Sequence, residues 1–130
     1  MNIYIMNVFV DDQAKALDFY TRVLGFEVKA DAPLGEHRWL TVVSPDEPGG
    51  TELLLEPNVH PAVDPFRQAL VADGIPAVSF KVDDLDAEVG KLKALDVRFA
   101  QEPLDAGPVR MPILDDTCGN FVQLIQMKEG

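Results

Sequence analysis

The chain opens on a run of apolar positions, IYIMNVFV at 3–10, β-branched and aromatic, that leads straight into Asp11 and Asp12. Such a run predicts a strand, with either aspartate able to cap a helix that follows. Within QAKALDFYTRVL, Ala16, Leu17, Tyr20, Val23 and Leu24 recur at steps of three and four, and Gly25 is placed to end the helix in the left-handed region. Three extended runs come next: FEVKA at 26–30, HRWLTVV at 37–43 and TELLLEP at 51–57, separated by the turn-forming stretches APLGE and SPDEPGG. The first half reads βαβββ.

NVHPAVD reads as loop, and PFRQALVADG as a short linking helix with Pro65 at its start and Gly74 past its end. The order then returns. Strand AVSFKV at 77–82 meets Asp83 and Asp84 as caps, a helix carries Leu85, Val89, Leu92 and Leu95 on one face, and strands follow near VRFA, VRMPIL and NFVQLIQ. Pro112 has no N–H to give a ladder, which predicts an edge or bulge position for it.

Spacing turns this likeness into a repeat. Asp11 and Asp83 stand 72 residues apart (83 − 11 = 72), as do Gly35 and Gly107, and Arg38 and Arg110, while Glu52 and Gln123 stand 71 apart. A sustained offset, with GxxR matched at 35–38 and 107–110, marks duplication. The expected architecture is α+β, a single domain over 1–130. Repeat 1 covers about 1–58, a linking helix about 64–74 and repeat 2 about 75–127.

Two tandem βαβββ repeats give two mixed sheets, each with a helix on one face, and sheets so built can face each other and enclose a cavity. Strand parity then sorts the side chains. Met6, Val8, Val10, Leu53 and Leu55 are expected on the helix side in the first repeat, and Val78, Phe80, Val82, Val122 and Leu124 in the second. The other face would carry Asn7, Phe9, Glu52, Leu54 and Glu56, then Ser79, Lys81, Phe121, Gln123 and Ile125, with Trp39 and its counterpart Met111 joining by alternation. A half-polar concave surface of this kind suits a small molecule; the alternative is the wet side of an open antiparallel sheet, with Trp39 in the core. Parity sets Arg38 and Arg110 opposite Trp39, on the surface.

Composition narrows the partners. Eleven basic against twenty-two acidic residues give a formal charge of −11, which repels nucleic-acid phosphates and anionic membrane surfaces. A hydrophobic fraction of 47% is enough for a core. Cys118 is alone, so no internal disulfide forms and a reducing cytoplasm fits. No export signal or membrane-length apolar segment is present in the sequence as read.

The stretches FVDDQAKALDFYTRVLGFEV, HRWLTVVSPDEPGGTELLLEP, SFKVDDLDAEVGKLKALDVRF and PILDDTCGNFVQLIQ resemble, in order, the glyoxalase/bleomycin-resistance/extradiol-dioxygenase family, the vicinal oxygen chelate superfamily. The resemblance spans nearly the whole chain and implies a glyoxalase-like fold; its members include lyases, dioxygenases, epimerases and drug-binding proteins. It also implies four metal-ligand positions, usually His, Glu, His and Glu, which fall here on Ile5, Glu52, Ala77 and Gln123. Two of these cannot bind metal. His37 at a strand start and His60 in a Pro-flanked loop are read as surface or hydrogen-bonded histidines rather than replacements. No Ser/His/Asp order, phosphate loop or paired-Cys spacing is present.

The expectation is therefore a small-molecule-binding protein with a degenerate metal site and no cofactor. Asn7, Phe9, Trp39, Glu52, Leu54, Ser79, Lys81, Met111 and Gln123 would hold the ligand. The alternative is a metal-dependent, glyoxalase-like lyase or dioxygenase-like enzyme using a divalent ion. Glu52 is the one candidate general base, or else a carboxylate hydrogen-bonded to Gln123 or Lys81. The resemblance also implies a homodimer, with sheets paired within one chain or between two.

Overall fold

The computed structural model describes residues 1–103, 105, 106 and 109–127, with the backbone alone at 105, 106, 109 and 110. The chain divides into two compact units, Met1–Pro65 and Phe66–Gly130. The first runs β1 (Ile5–Val10), α1 (Gln13–Asp18), a π-helical turn over Phe19–Val23, β2 (Glu27–Leu34), β3 (His37–Val43) and β4 (Glu52–Pro57). Helix α2 (Val63–Ala72) crosses the boundary. The second runs β5 (Val78–Lys81), α3 (Leu85–Ala94), β6 (Phe99–Gln101), β7 (Asp105–Ala106), β8 (Val109–Arg110), β9 (Ile113–Asp115) and β10 (Phe121–Met127).

In the first unit the sheet order is β1-β4-β3-β2, with β1 parallel to β4 and the other neighbours antiparallel. In the second, β5 lies parallel to β10, and β8 and β9 both pair antiparallel with β10. The last two share one register, so VRMPIL is a single strand interrupted at Met111 and Pro112; β6 and β7 pair with β9 and β8 on its far side. Each unit is thus a βαβββ arrangement with a four-stranded mixed sheet. Among the described residues no helix is long and apolar enough to cross a membrane.

The VDD stretches account for both helix starts. Asp12 Oδ1 accepts the Lys15 N–H at 3.0 Å, and Asp84 Oδ1 accepts the Ala87 N–H at 3.1 Å, each satisfying one donor that the first helical turn leaves open. Behind the caps, each helix lays an apolar face on its own sheet. Ala16, Tyr20 and Val23 are buried in the unit where Val8, Val10, Leu40, Val42 and Leu55 are buried, and α1 contacts β3 and β4. In the second unit Leu85, Val89 and Leu92 are buried with Leu114, Val122 and Leu124, and α3 contacts β10. Each such valine or leucine contributes about 1.5–3 kcal/mol through removal from water.

Several expectations are corrected. β2 continues through Pro33 and Leu34, so the turn between β2 and β3 shrinks to Gly35 and Glu36. Helix α2 begins at Val63, before Pro65, a residue the first turn tolerates because its missing N–H has no intrahelical partner there. Leu95 is 40% exposed, since α3 ends one residue before it, and Met6 is 60% exposed although its neighbours at 8 and 10 are buried. Pro112 is fully buried in an interior strand, at neither an edge nor a bulge of its ladder with β10; it keeps the acceptor half of its pair, with the Leu124 N–H donating to Pro112 O at 3.0 Å.

Register confirms the duplication and shows where it slips. Pro33 pairs with Arg38 and Leu34 with His37 in the first unit, and Asp105 with Arg110 and Ala106 with Val109 in the second, all at offset 72. Gly107 of the matched GxxR lies outside the described residues, as does the Arg110 side chain. Each second strand carries a bulge at the same place, with Val28 and Ala30 opposite Val42 and Thr41, and Phe99 and Gln101 opposite Leu114 and Ile113. The π-helical turn adds one residue to the first helix, so the left-handed residue after it comes at Gly25 in one unit and Asp96 in the other, 71 apart (96 − 25 = 71).

Candidate functional site

The face of each sheet turned away from its helix carries the polar side chains. In the first unit, register sets Ile5 beside Glu52, Asn7 beside Leu54 and Phe9 beside Glu56, and on the other side of β4, Thr41 beside Leu54. Thr41 is fully buried, and its hydroxyl donates to Glu52 Oε1 at 2.7 Å. Glu52 is half-buried, and within its own unit this threonine is its hydrogen-bond partner. Asn7 Nδ2 donates to Glu56 Oε1 at 3.2 Å, and Leu54 is buried between Asn7 and Thr41. Trp39 lies two residues from Thr41 on the same face and is 37% exposed, outside the core. The structure thus brings Asn7, Phe9, Trp39, Glu52 and Leu54 onto one face, as parity predicts.

Thr41 was legible by the same alternation that selects Trp39. Gln13 was not, because no periodicity marks it. Backbone pairing of β3 with β4 stops at Thr41, and the Gln13 amide continues it: Nε2 donates to Arg38 O at 2.7 Å and Leu55 O at 2.9 Å, while Oε1 accepts the Arg38 N–H at 2.9 Å. The Arg38 side chain sits on the surface with Asp31, 2.6 Å away across the β2–β3 hairpin, and that guanidinium hydrogen bond holds the Asp31 carboxyl below its ordinary value.

In the second unit Ser79 lies beside Gln123 and Lys81 beside Ile125, with Ile113 on the other side of Gln123. The Ser79 hydroxyl donates to Gln123 Oε1 at 3.0 Å, and Gln123 Nε2 reaches Met111 Sδ at 3.5 Å. Ser79 and Lys81 are exposed, Met111 and Gln123 half-buried. Ser79, Lys81, Met111 and Gln123 therefore also share one face. The turn that leads into β10 is tightly bonded. Asp116, fully buried, accepts the Cys118 N–H at 2.7 Å, the Asn120 N–H at 3.0 Å and Asn120 Nδ2 at 2.9 Å. Arg67 of α2 donates to Cys118 O at 2.6 Å, and a Cβ on Gly119, whose φ is +96°, would stand 2.6 Å from that guanidinium. Cys118 is buried within this turn.

Strand register shows that Glu52 and Gln123, the second and fourth positions that the resemblance implies, are not equivalent between the two repeats. Thr41 and Ile113 keep the offset of 72, but their partners across the next ladder, Leu54 and Gln123, are 69 apart (123 − 54 = 69). The loop into the last strand is three residues shorter in the second unit. Glu52, paired with Ile5, therefore corresponds to Phe121, whose carbonyl accepts the Ala77 N–H at 2.8 Å, and the counterpart of Gln123 is Leu54. Of the four positions that the resemblance implies, Ile5 and Ala77 have no side-chain donor atom, whereas Glu52 and Gln123 have one. Among the described residues no three His, Cys, Asp or Glu side chains gather as a metal ion requires. His37 is half-buried at the start of β3, and His60 Nδ1 accepts the Ala62 N–H at 3.1 Å.

The family model described as Glyoxalase/Bleomycin resistance protein/Dioxygenase superfamily matches residues 3–124. The chain is 48% identical over 126 residues to the uncharacterized protein YurT of Bacillus subtilis (strain 168), covering 97% of this chain and 99% of that one. Among solved structures it is similar to UcmS2, with TM-score 0.82 and 32% identity over 96% of this chain and 97% of that one. It is also similar to TnmS3, an antibiotic binding protein from Streptomyces sp. CB03234, with TM-score 0.79 and 27% identity over 98% and 97% of the two chains.

Proposed function

The chain belongs to the glyoxalase/bleomycin resistance protein/dioxygenase superfamily, and on that premise we propose that it binds a planar organic molecule and holds it unaltered, without a resident catalytic metal. One observation carries this reading: Ile5 and Ala77 supply hydrocarbon at two of the four positions where a chelating site of this family needs nitrogen or oxygen. Glu52 and the uncharged amide of Gln123 would leave a divalent ion to be held mostly by water, and an ion so held is lost before it can polarise a substrate. On the first unit's open face Trp39 and Phe9 offer flat apolar surface and the Glu52 carboxylate an oriented polar group, a combination suited to a ring system with a polar edge. The antibiotic binding ascribed to TnmS3 supports the same ligand class. We further propose a cytoplasmic homodimer; sedimentation at micromolar concentration tests the dimer, and cell fractionation tests the location.

Trp39 is the only tryptophan, so its emission reports on this face. Titration with planar polycyclic aromatic compounds and with bleomycin, in the presence of EDTA, is expected to give saturable quenching for at least one of them, with the ligand recovered unchanged. Binding that disappears on adding EDTA, or chemical turnover of the bound compound, contradicts the reading.

A further inference from the structure

On the open face of the first unit, one row across the strands sets a carboxylate between two aromatic residues. Phe9 pairs with Glu56 across the β1–β4 ladder. On the other side of β4, Thr41 pairs with Leu54, so the same register two residues on sets Trp39 across from Glu56, where the Gln13 amide ties β3 to β4. Glu56 is half-buried, and its Oε1 accepts Asn7 Nδ2 at 3.2 Å, a neutral donor that orients the carboxylate without cancelling its charge. Glu56 forms no ion pair with any described residue. The four basic side chains of its unit are placed elsewhere: Arg22 pairs with Asp18 and Arg38 with Asp31, Lys29 Nζ donates to Pro48 O at 3.3 Å, and Lys15 belongs to α1, on the opposite face of the sheet. Phe9 is half-buried and Trp39 exposed, so both rings keep surface open to a ligand. Glu52 lies four residues back along β4, roughly 13 Å away at about 3.3 Å per residue, and serves a different part of the face.

We propose that Glu56, with Phe9 and Trp39 on either side, is a subsite for an ammonium group carried on the planar ligand. This rests on the binding function proposed above and names the charge and the place of the ligand's polar group. Aromatic ring faces and a carboxylate both carry negative potential, so a row that holds all three repels an anion and attracts a cation. The ammonium N–H groups donate to the carboxylate in a charge-assisted bond, and the flanking rings exclude water from it. Every residue of the subsite belongs to the first unit. The formal charge of −11 adds a general pull on cations, from which the local carboxylate is told apart by neutralising a glutamate elsewhere on the surface.

The test compares two probes with one ring system, 2-(aminomethyl)anthraquinone and 2-(hydroxymethyl)anthraquinone, by calorimetry on the full chain at pH 7.5. The wild type is expected to bind the amine about tenfold more tightly than the alcohol, the gain of one charge-assisted contact beside aromatic rings. Glu56→Gln, which keeps the shape and the bond to Asn7, should reduce that preference to about threefold or less while leaving the affinity for the alcohol within about twofold. Glu36→Gln, in the exposed turn between β2 and β3, should keep the preference. Trp39→Leu should weaken the amine more than the alcohol. Circular dichroism confirms that each variant is folded. Equal affinities in the wild type, a preference that survives Glu56→Gln, or one that Glu36→Gln reduces as much, would overturn the subsite while leaving the binding function standing. If neither compound binds, the proposed function falls and the subsite with it.

Discussion

The two units start from one plan and diverge at the open face of the sheet. Both use an aspartate cap, a bulged second strand, a two-residue step into the third strand and a parallel pairing of first with last strand. These features lie at or near an offset of 72 and set the backbone. On the open face the first unit presents carboxylates, Glu52 held by Thr41 and Glu56 held by Asn7, and the second presents an amide and an ammonium. Duplication conserved the scaffold where backbone hydrogen bonds depend on it. It left the face positions free to acquire opposite polarity, since a side chain there can change without disturbing a ladder.

The loop before the last strand is where the backbones differ most, and the largest predicted effect lies there. In the second unit the shorter loop closes on Asp116, whose two oxygens accept three donors in a buried turn. Asp116→Ala should destabilise the protein by about 3 kcal/mol, because buried donors are left without acceptors. Ser44→Ala, at the start of the longer loop of the first unit, where the side chain is exposed, should change stability by less than about 0.5 kcal/mol. Urea unfolding of both variants measures the difference, and equal losses would mean that the loops are equivalent after all.

A middle-sized effect tests what the units share. Asp12→Ala and Asp84→Ala should each cost about 1 kcal/mol, and the double variant should lose about the sum, since the caps serve separate helices. A markedly unequal pair would show that one helix start leans on other contacts.

The smallest effect concerns the exposed Arg38–Asp31 pair. The guanidinium lowers the Asp31 carboxyl below its ordinary value of about 4, so the pair's contribution is present above that pH and is lost as pH falls through the lowered value. Asp31→Asn should therefore leave melting nearly unchanged at pH 7 and flatten a small part of the acid slope below about pH 4. A loss at pH 7 as large as that of a helix cap would contradict the surface reading.

Much of this was legible in the sequence because periodicity and punctuation are local. The caps at Asp12 and Asp84, the helix stop at Gly25 and the alternation along TELLLEP each follow from a few neighbouring residues. What alternation could not supply was pairing across strands. Glu52 and Gln123 look equivalent by counting, yet a loop shorter by three residues moves Phe121 into the place opposite Ala77. The role of Gln13 was equally hidden, since a side chain that replaces a missing ladder bond leaves no pattern of its own. Pro112 misled in the other direction: its missing N–H suggests an edge, whereas a buried strand can carry a proline where only the acceptor half of a pair is used.

The central claim is that the superfamily's metal-ligand positions have become hydrocarbon at two of four places, Ile5 and Ala77, and that the protein binds its ligand without an ion. Elemental analysis tests it most directly, on untagged protein incubated with iron, nickel, zinc and manganese and then desalted. The account predicts far less than one equivalent of any metal per chain. Retention of about one equivalent of a single ion would contradict it.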